Sequence, residues 1–357
     1  MAGQTTEFLP KFASQPPSYL PDTTPLFSNA AFQLLASAME RTTATPFSSI
    51  LQTRILTPLG MTRTALLAGA SAPHPSGLPT VGEPASLSLL TTPHDLSLAG
   101  ASILSSTLLS PGTTRRWLSP ASATSNLRNA VGRPWEIYHF GLNATDPVVD
   151  VYTKTGSIGK YSAYFGVAPD HDVGFSILAS DDGESGGVAP DLNAYADVAL
   201  EALLAVAALG RKQAGALLAG EYYRGADDAG ANSSLVLRET GDADPGLAVE
   251  TFVVDGGDWR ARTAALMAVG RPADLDFRLY PTNLRAKAAD GGVRVRFQAV
   301  YQDKSAPVDQ GTPTCVTWMD VGEDGGDVVD GFVFHLDGNG NATAITIPML
   351  GLELQRY

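Results

Sequence analysis

The run from Val149 to Ser180, VDVYTKTGSIGKYSAYFGVAPDHDVGFSILAS, constrains this chain more than any other stretch. Val149, Val151 and Thr153 alternate with Asp150, Tyr152 and Lys154, the period-2 spacing of a strand with one buried face. Tyr161 to Ala168 predicts a second strand and Val173 to Ala179 a third. Pro169-Asp170-His171-Asp172 between the last two is turn chemistry, so they predict a hairpin. Lys154-Thr155-Gly156 stands at the end of the first strand. A cation, a hydroxyl and a residue with no side chain at that place would let an anionic ligand approach the strand backbone. Taken alone, the tripeptide has a plainer reading as a turn.

Helical spacing appears upstream. Pro25-Leu26-Phe27-Ser28-Asn29 leads into a predicted helix over 30–41, in which Ala31, Leu34, Leu35, Ala38 and Met39 mark a buried stripe. Ser28 or Asn29 would cap it. A second helix is predicted over 46–56, closed by Pro58-Leu59-Gly60-Met61-Thr62. Thr92 caps a third, with Pro93 in the first turn and Asp95 in the capping-box position. Ser110-Pro111 opens a short fourth, ending near Trp117. Residues 65–90 read as a loop. Residues 1–26, with Pro16, Pro17 and Pro21, read as an extended lead-in. An Ala- and Leu-rich helix over 190–209 would cover the sheet.

From about Gly220 the texture changes to short alternating runs at 221–224, 234–238, 247–254, 276–280, 293–301, 315–321, 332–336 and 342–348. Gly, Asp and Asn turns divide them, predicting an antiparallel barrel or sandwich. The expected fold class is therefore α+β, with a helix-flanked antiparallel sheet in 1–212 and an all-β domain in 213–357. Asp337-Gly-Asn-Gly-Asn341 reads as a hairpin turn rather than a calcium loop, because it lacks the sixth-position Gly and the closing Glu.

A formal charge of −13 argues against a nucleic-acid partner. No apolar run reads as a membrane span. The single Cys315 excludes an internal disulfide, and the five histidines have no metal-ligand spacing, so neither metal nor cofactor is expected. The N-terminus does not read as a secretory signal. Sequons at Asn143, Asn232 and Asn341 would suit a secreted parent protein, so localisation stays open.

The order FSNxxFxLL, then xxPLGMTxT, then Thr92-Pro93-His94-Asp95-Leu96, then KTGSIGKYSAYFGVAPDHDVGFSIL resembles the serine β-lactamase and penicillin-recognising family. It looks most like the class C, esterase and DD-peptidase branch, over about residues 16–210. Fungal secreted members carry a similar β-rich C-terminal domain. The resemblance implies that Lys154, Thr155 and Gly156 bind a substrate carboxylate or carbonyl. It implies that the Ser157 backbone N–H is one oxyanion donor. It makes Asn29 the amide of a Tyr-x-Asn element whose Tyr position holds Phe27. A phenyl ring carries no proton, which should cost on the order of 10²–10⁴-fold in rate. A cap is the plain reading of Asn29.

Acyl transfer in that family also needs a Ser nucleophile with a Lys one helical turn on. The only Ser-x-x-Lys in the 357 residues is Ser157-Ile158-Gly159-Lys160. It overlaps the Lys-Thr-Gly element between two strands, so it is expected to be coincidence. The residues before Phe27 supply no such pair, nor the first two strands of the family's sheet. The expectation is a truncated or degenerate serine-hydrolase-like protein, inactive as written, with a small-molecule or peptide ligand. A non-enzymatic binding module using the residual cleft is the alternative. Without the missing strands, the 173–179 strand would lie at an open edge able to pair with another chain.

Overall fold

A computed structural model describes residues 2–67, 84–141, 148–181, 190–224, 232–241, 244–289, 291–306 and 329–357. The chain forms two compact units, 1–143 with 148–206, and 144–147 with 207–357. The predicted strand at 315–321 and the sequon at Asn143 lie outside the described residues.

The first unit opens with helix α1 (Ala2–Ala13), where an extended lead-in was expected. Pro16, Pro17 and Pro21 all lie beyond its end; Pro10 lies inside it, and the Phe8 and Phe12 rings stack one turn apart with centroids 6.0 Å apart. Ser28 caps α2 (Asn29–Thr43), its hydroxyl accepting from the Ala31 N–H. Helix α3 (Phe47–Leu51) runs on through a π-helical turn, Gln52–Leu56, into α4 (Thr57–Leu59), and Gly60 ends it in the left-handed conformation at φ +68°. The stretch expected to be wholly loop carries strand β1 (Ala65–Leu66), helix α5 (Pro84–Leu87) and strand β2 (Leu89–Leu90), with β1 and β2 paired. Helix α6 (Pro93–Leu104) and helix α7 (Pro111–Trp117) start where Thr92 and Ser110 cap them.

Asp95 does not close a capping box on Thr92. Its buried carboxylate accepts from the Thr64 hydroxyl at 2.7 Å and the Arg63 N–H at 2.9 Å, pinning α6 to the segment before β1. Burial alone pushes this carboxyl up, but the hydrogen bonds from Thr64 and Arg63 and the neighbouring His94 outweigh it and hold it below its usual range. A lowered folded-state value means the contribution is fully present above the unfolded carboxylate value, about 3.9, and is lost as pH falls through the folded one. Asp95→Asn should therefore be less stable than wild type by a constant margin above about pH 5, and the margin should shrink in acid. Thermal melts of both proteins from pH 7 to pH 3 check this. A margin unchanged down to pH 3 would refute it.

The sheet of this unit has six strands in the order β3 (Ser122–Ala123), β4 (Asn129–Val131), β5 (Glu136–Phe140), β6 (Val149–Ile158), β7 (Tyr161–Ala168) and β8 (Val173–Ser180), each antiparallel to the next. The first three were not anticipated, because short strands beside Pro134 and Gly132 show little alternation. Among the described residues β8 pairs only with β7 and forms one end of the sheet. Under one face lies a core of Ala130, Trp135, Ile137, Tyr152 and Val167, packed by Ile103, Leu104, Trp117 and Phe165. Close packing requires Gly174 in β8, since a Cβ there would stand 2.9 Å from the Gly166 carbonyl oxygen.

Helix α8 (Asn193–Leu218) starts three residues later and ends nine residues later than the 190–209 prediction, and contributes to both units. Leu192, just before it, and Ala196, Leu200, Leu203 and Ala207 within it are buried at spacings of three and four. Against expectation, its length and composition alone would suffice to cross a bilayer. The packed helix of a core passes the same test.

In the second unit, strands β9 (Gly220–Tyr223), β10 (Ser234–Arg238) and β11 (Leu247–Val254) are followed by the short β12 (Gly257–Asp258) and helix α9 (Trp259–Leu266). Strands β13 (Leu275–Lys287), β14 (Val293–Asp303), β15 (Gly331–Leu336), β16 (Ala342–Ile347) and β17 (Leu352–Arg356) complete it. The pairings β10–β11 and β17–β9 close eight of these strands into an antiparallel barrel, with β12 appended to β11. The unanticipated β17 is the closing strand. Tyr222, Leu235, Phe252, Phe277, Phe332 and Ile345, all fully buried, fill the interior. Asp337 to Asn341 forms the β15–β16 turn, the Asp337 carboxylate accepting from the backbone N–H groups of Asn339 and Asn341.

Candidate active site

Register places the site. Strand β5 pairs with β6 only as far as Glu136 opposite Thr153. Among the described residues, Lys154 to Ile158 thus continue β6 with β7 on one side and no strand on the other. The Lys-Thr-Gly element lies inside the strand rather than at its end. Successive N–H groups of a strand alternate sides. The Thr155 N–H points to the open side, where it meets the Glu136 carboxylate, so the Ser157 N–H, two residues on, points the same way.

That open side lines a cavity of about 540 Å³. Phe27, Asn29, Lys154, Thr155, Gly156 and Ser157 all border it, and so do Glu136, Ser162, Tyr164 and Asn193. The structure brings together every residue the resemblance singles out. Asn29 is the first residue of α2 rather than its cap, and its side-chain amide oxygen Oδ1 accepts from the Ser86 hydroxyl at 2.6 Å. This bond, with the Ala85 N–H donating to Gln33, joins α5 to α2. Phe27 is 56% exposed and tilts against Phe32. Lys154 Nζ lies 4.9 Å from the Phe27 ring centroid, a cation–π contact.

Glu136 is the residue that sequence reasoning missed. Its Oε1 accepts from Lys154 Nζ at 2.6 Å, its Oε2 accepts from the Thr155 N–H at 3.0 Å and from the Thr155 hydroxyl at 2.9 Å. Lys154 Nζ also donates to the Thr155 carbonyl at 2.7 Å. The side chains of Lys154 and Glu136 are 29% and 44% exposed, so their pairing adds at most about 1 kcal/mol to stability. Its weight lies in what it occupies. No motif flags Glu136; only the end of the β5–β6 pairing puts its carboxylate beside Thr155.

Tyr164 lies opposite Thr155 on β7. Burial pushes its hydroxyl above the usual range; a bond with Thr153 works against this and the Glu136 charge reinforces it. At neutral pH it is a donor and not a base. Ser157 and Lys160 lie in the β6–β7 hairpin, on the strand and on the turn respectively, so the Ser-x-x-Lys match is not helical. Among the described residues no group of His, Cys, Asp and Glu could hold a metal ion.

The family model described as Beta-lactamase matches residues 2–200, and one described as Beta-lactamase-like-like, C-terminal domain, matches residues 210–357. A Beta-lactamase-like protein of Arthroderma benhamiae is 27% identical over 312 residues, covering 80% of this chain and 50% of that protein. The chain thus spans about half the length of the curated relative it matches. Among solved structures, the octameric penicillin-binding protein homologue from Pyrococcus abyssi is similar at 15% identity and a TM-score of 0.42, covering 79% of this chain and 61% of that one. The D-amino acid amidase from Ochrobactrum anthropi complexed with D-phenylalanine is similar at 18% identity and a TM-score of 0.38, covering 52% and 60%.

Proposed function

We propose, from the premise that this chain belongs to the beta-lactamase family, that its first unit forms the substrate-binding wall of a serine-hydrolase-like site of the esterase, peptidase or acyltransferase type. One observation carries this reading: Asn29, Lys154, Thr155, Gly156 and the outward Ser157 N–H border a single cavity. Asn29 would hold the amide or carbonyl of the ligand. Thr155 and Lys154 would contact its far end. The Ser157 N–H is aimed where an oxyanion would develop, and such a donor contributes about 2.7–4 kcal/mol in an acyl-transfer site.

The same residues do not supply the attacking group. A nucleophile needs its base within hydrogen-bond reach. The Ser157 and Lys160 side chains belong to a strand and a turn, and Phe27 stands where a proton-carrying Tyr would be needed. This polypeptide alone is therefore expected to form no acyl-enzyme. Incubation with a fluorophosphonate probe or a penicillin, followed by peptide mapping, should show no labelled serine. A stoichiometric adduct at one mapped serine would overturn this part of the reading.

The second reading is a binding module without chemistry. The hairpin position of the only Ser-x-x-Lys favours it. Reproducible ligand binding that is lost in Lys154→Ala, in protein that no acylating probe labels, would select it.

A further inference from the structure

Two cavities of the first unit share a wall. Beside the polar cavity lies one of about 310 Å³, bordered by Leu26, Phe32, Leu35, Pro134 and Trp135. Phe27 and Glu136 border both. A ligand seated along Lys154 and Thr155 thus has an apolar recess next to it and a carboxylate of this chain at the junction.

That carboxylate already holds the donors a bound anion would use. The Thr155 hydroxyl and N–H both donate to Glu136. Of the three N–H groups of Lys154, one donates to Glu136 and one to the Thr155 carbonyl, while the ammonium faces the Phe27 ring. The arrangement follows from the backbone. Strand β5 ends its pairing with β6 at Glu136, and the side chain of that residue meets the edge of β6 that no strand covers among the described residues. Lys154 and Glu136 also cancel in formal charge, so the wall offers an anion no net attraction. An incoming carboxylate would place a second negative charge within a few ångströms of the first, and like charges so close disfavour each other.

We propose that Glu136 is a specificity-determining residue: it fills the Lys154–Thr155 cradle with the chain's own carboxylate, so that the site rejects carboxylate ligands and takes uncharged carbonyl compounds, esters or amides, whose apolar substituent enters the recess beside Phe27 and Trp135. The proposal rests on the cavity being a ligand pocket, as read above.

The test compares binding of benzoate with binding of its neutral counterpart benzamide to the full 357-residue chain, by ligand-observed NMR titration. The proteins are wild type, Glu136→Ala, Glu136→Gln and Glu136→Ala with Lys154→Ala. Glu136→Gln keeps a carbonyl acceptor for Thr155 and serves if the alanine variant does not fold. Wild type should favour benzamide. Both single variants should gain affinity for benzoate, by about tenfold for Glu136→Ala because the repelling charge is partly solvated, or about 1.4 kcal/mol. The double variant should lose that gain. If wild type binds benzoate as tightly as Glu136→Ala, Glu136 steps aside for anions and the proposal is overturned while the pocket reading stands. If none of the proteins binds either compound, the pocket reading fails and takes the proposal with it.

Discussion

Trp135→Ala is expected to destabilise the first unit by about 3–5 kcal/mol, the range for removing a large aromatic from a packed core. Trp135 is 5% exposed. Its ring centroid lies 5.0 Å from that of Trp117, 6.4 Å from Phe165 and 6.3 Å from Tyr152, which meets it edge-on. Such ring pairs add about 0.5–1.5 kcal/mol each beyond the area they bury. The same side chain anchors the start of β5, one residue before Glu136. Its loss should therefore loosen the Glu136 carboxylate from Thr155 as well as empty the core. Urea unfolding followed by far-UV circular dichroism reads the first effect. Faster amide exchange at Thr155 relative to the barrel strands reads the second. A loss below about 1 kcal/mol would mean that the aromatic cluster does not hold the sheet.

Arg278→Ala is expected to cost the second unit a similar amount, for an electrostatic reason. Arg278 is 3% exposed. Its Nε donates to both carboxylate oxygens of Asp276, at 2.9 and 3.0 Å, and its Nη1 donates to the Thr240 hydroxyl and the Asp244 carbonyl. Lys304 binds Asp244 at 2.7 Å and approaches Asp276 at 3.5 Å. Deleting one partner of a buried ion pair strands the other, at about 3–5 kcal/mol. Arg278→Met restores volume but leaves the Asp276 carboxylate with only the Lys304 ammonium at 3.5 Å in place of two 2.9–3.0 Å bonds, so it should remain destabilised. Combining it with Asp276→Leu should recover most of the loss. Denaturant unfolding of the single and double variants decides the matter. If Arg278→Met alone is as stable as wild type, the cost was packing and not charge.

The parts of this fold that could be read in advance are those where one local rule decides. Alternation in 149–180 and the Pro-Asp turn set β7 and β8 almost to the residue and the start of β6, which runs on past Lys-Thr-Gly to Ile158. Thr92 and Ser110 announced two helices by their caps. Barrel strands are legible wherever apolar residues alternate cleanly over a longer run; in β17 the pattern is confined to Leu352-Glu353-Leu354, directly after the Pro348 turn. What stayed hidden depends on partners distant in sequence. Asp95 looks like a capping residue until Thr64 is folded against it. Helix α9 has charged residues on a short, weakly patterned run and is held by packing on β11 and β13. Glu136 is one acidic residue after a Trp, and its role exists only because a strand pairing stops there. Asn29, Lys154 and Thr155 could be named from their neighbours in the chain, but not the carboxylate that meets two of them.

The β9–β17 pairing has a mechanical consequence. Tyr223 of β9 faces Gln355 of β17, so the ring is sealed by two short strands from opposite ends of the unit. A seam of that kind has no free rim at which unravelling could begin gradually. Once β17 peels away, β9 and β16 each lose a neighbour together, and the interior around Tyr222 and Ile345 is wetted in one step. The integrity of the described barrel is thus governed by one short strand, Leu352 to Arg356, in the way a zip is governed by its slider.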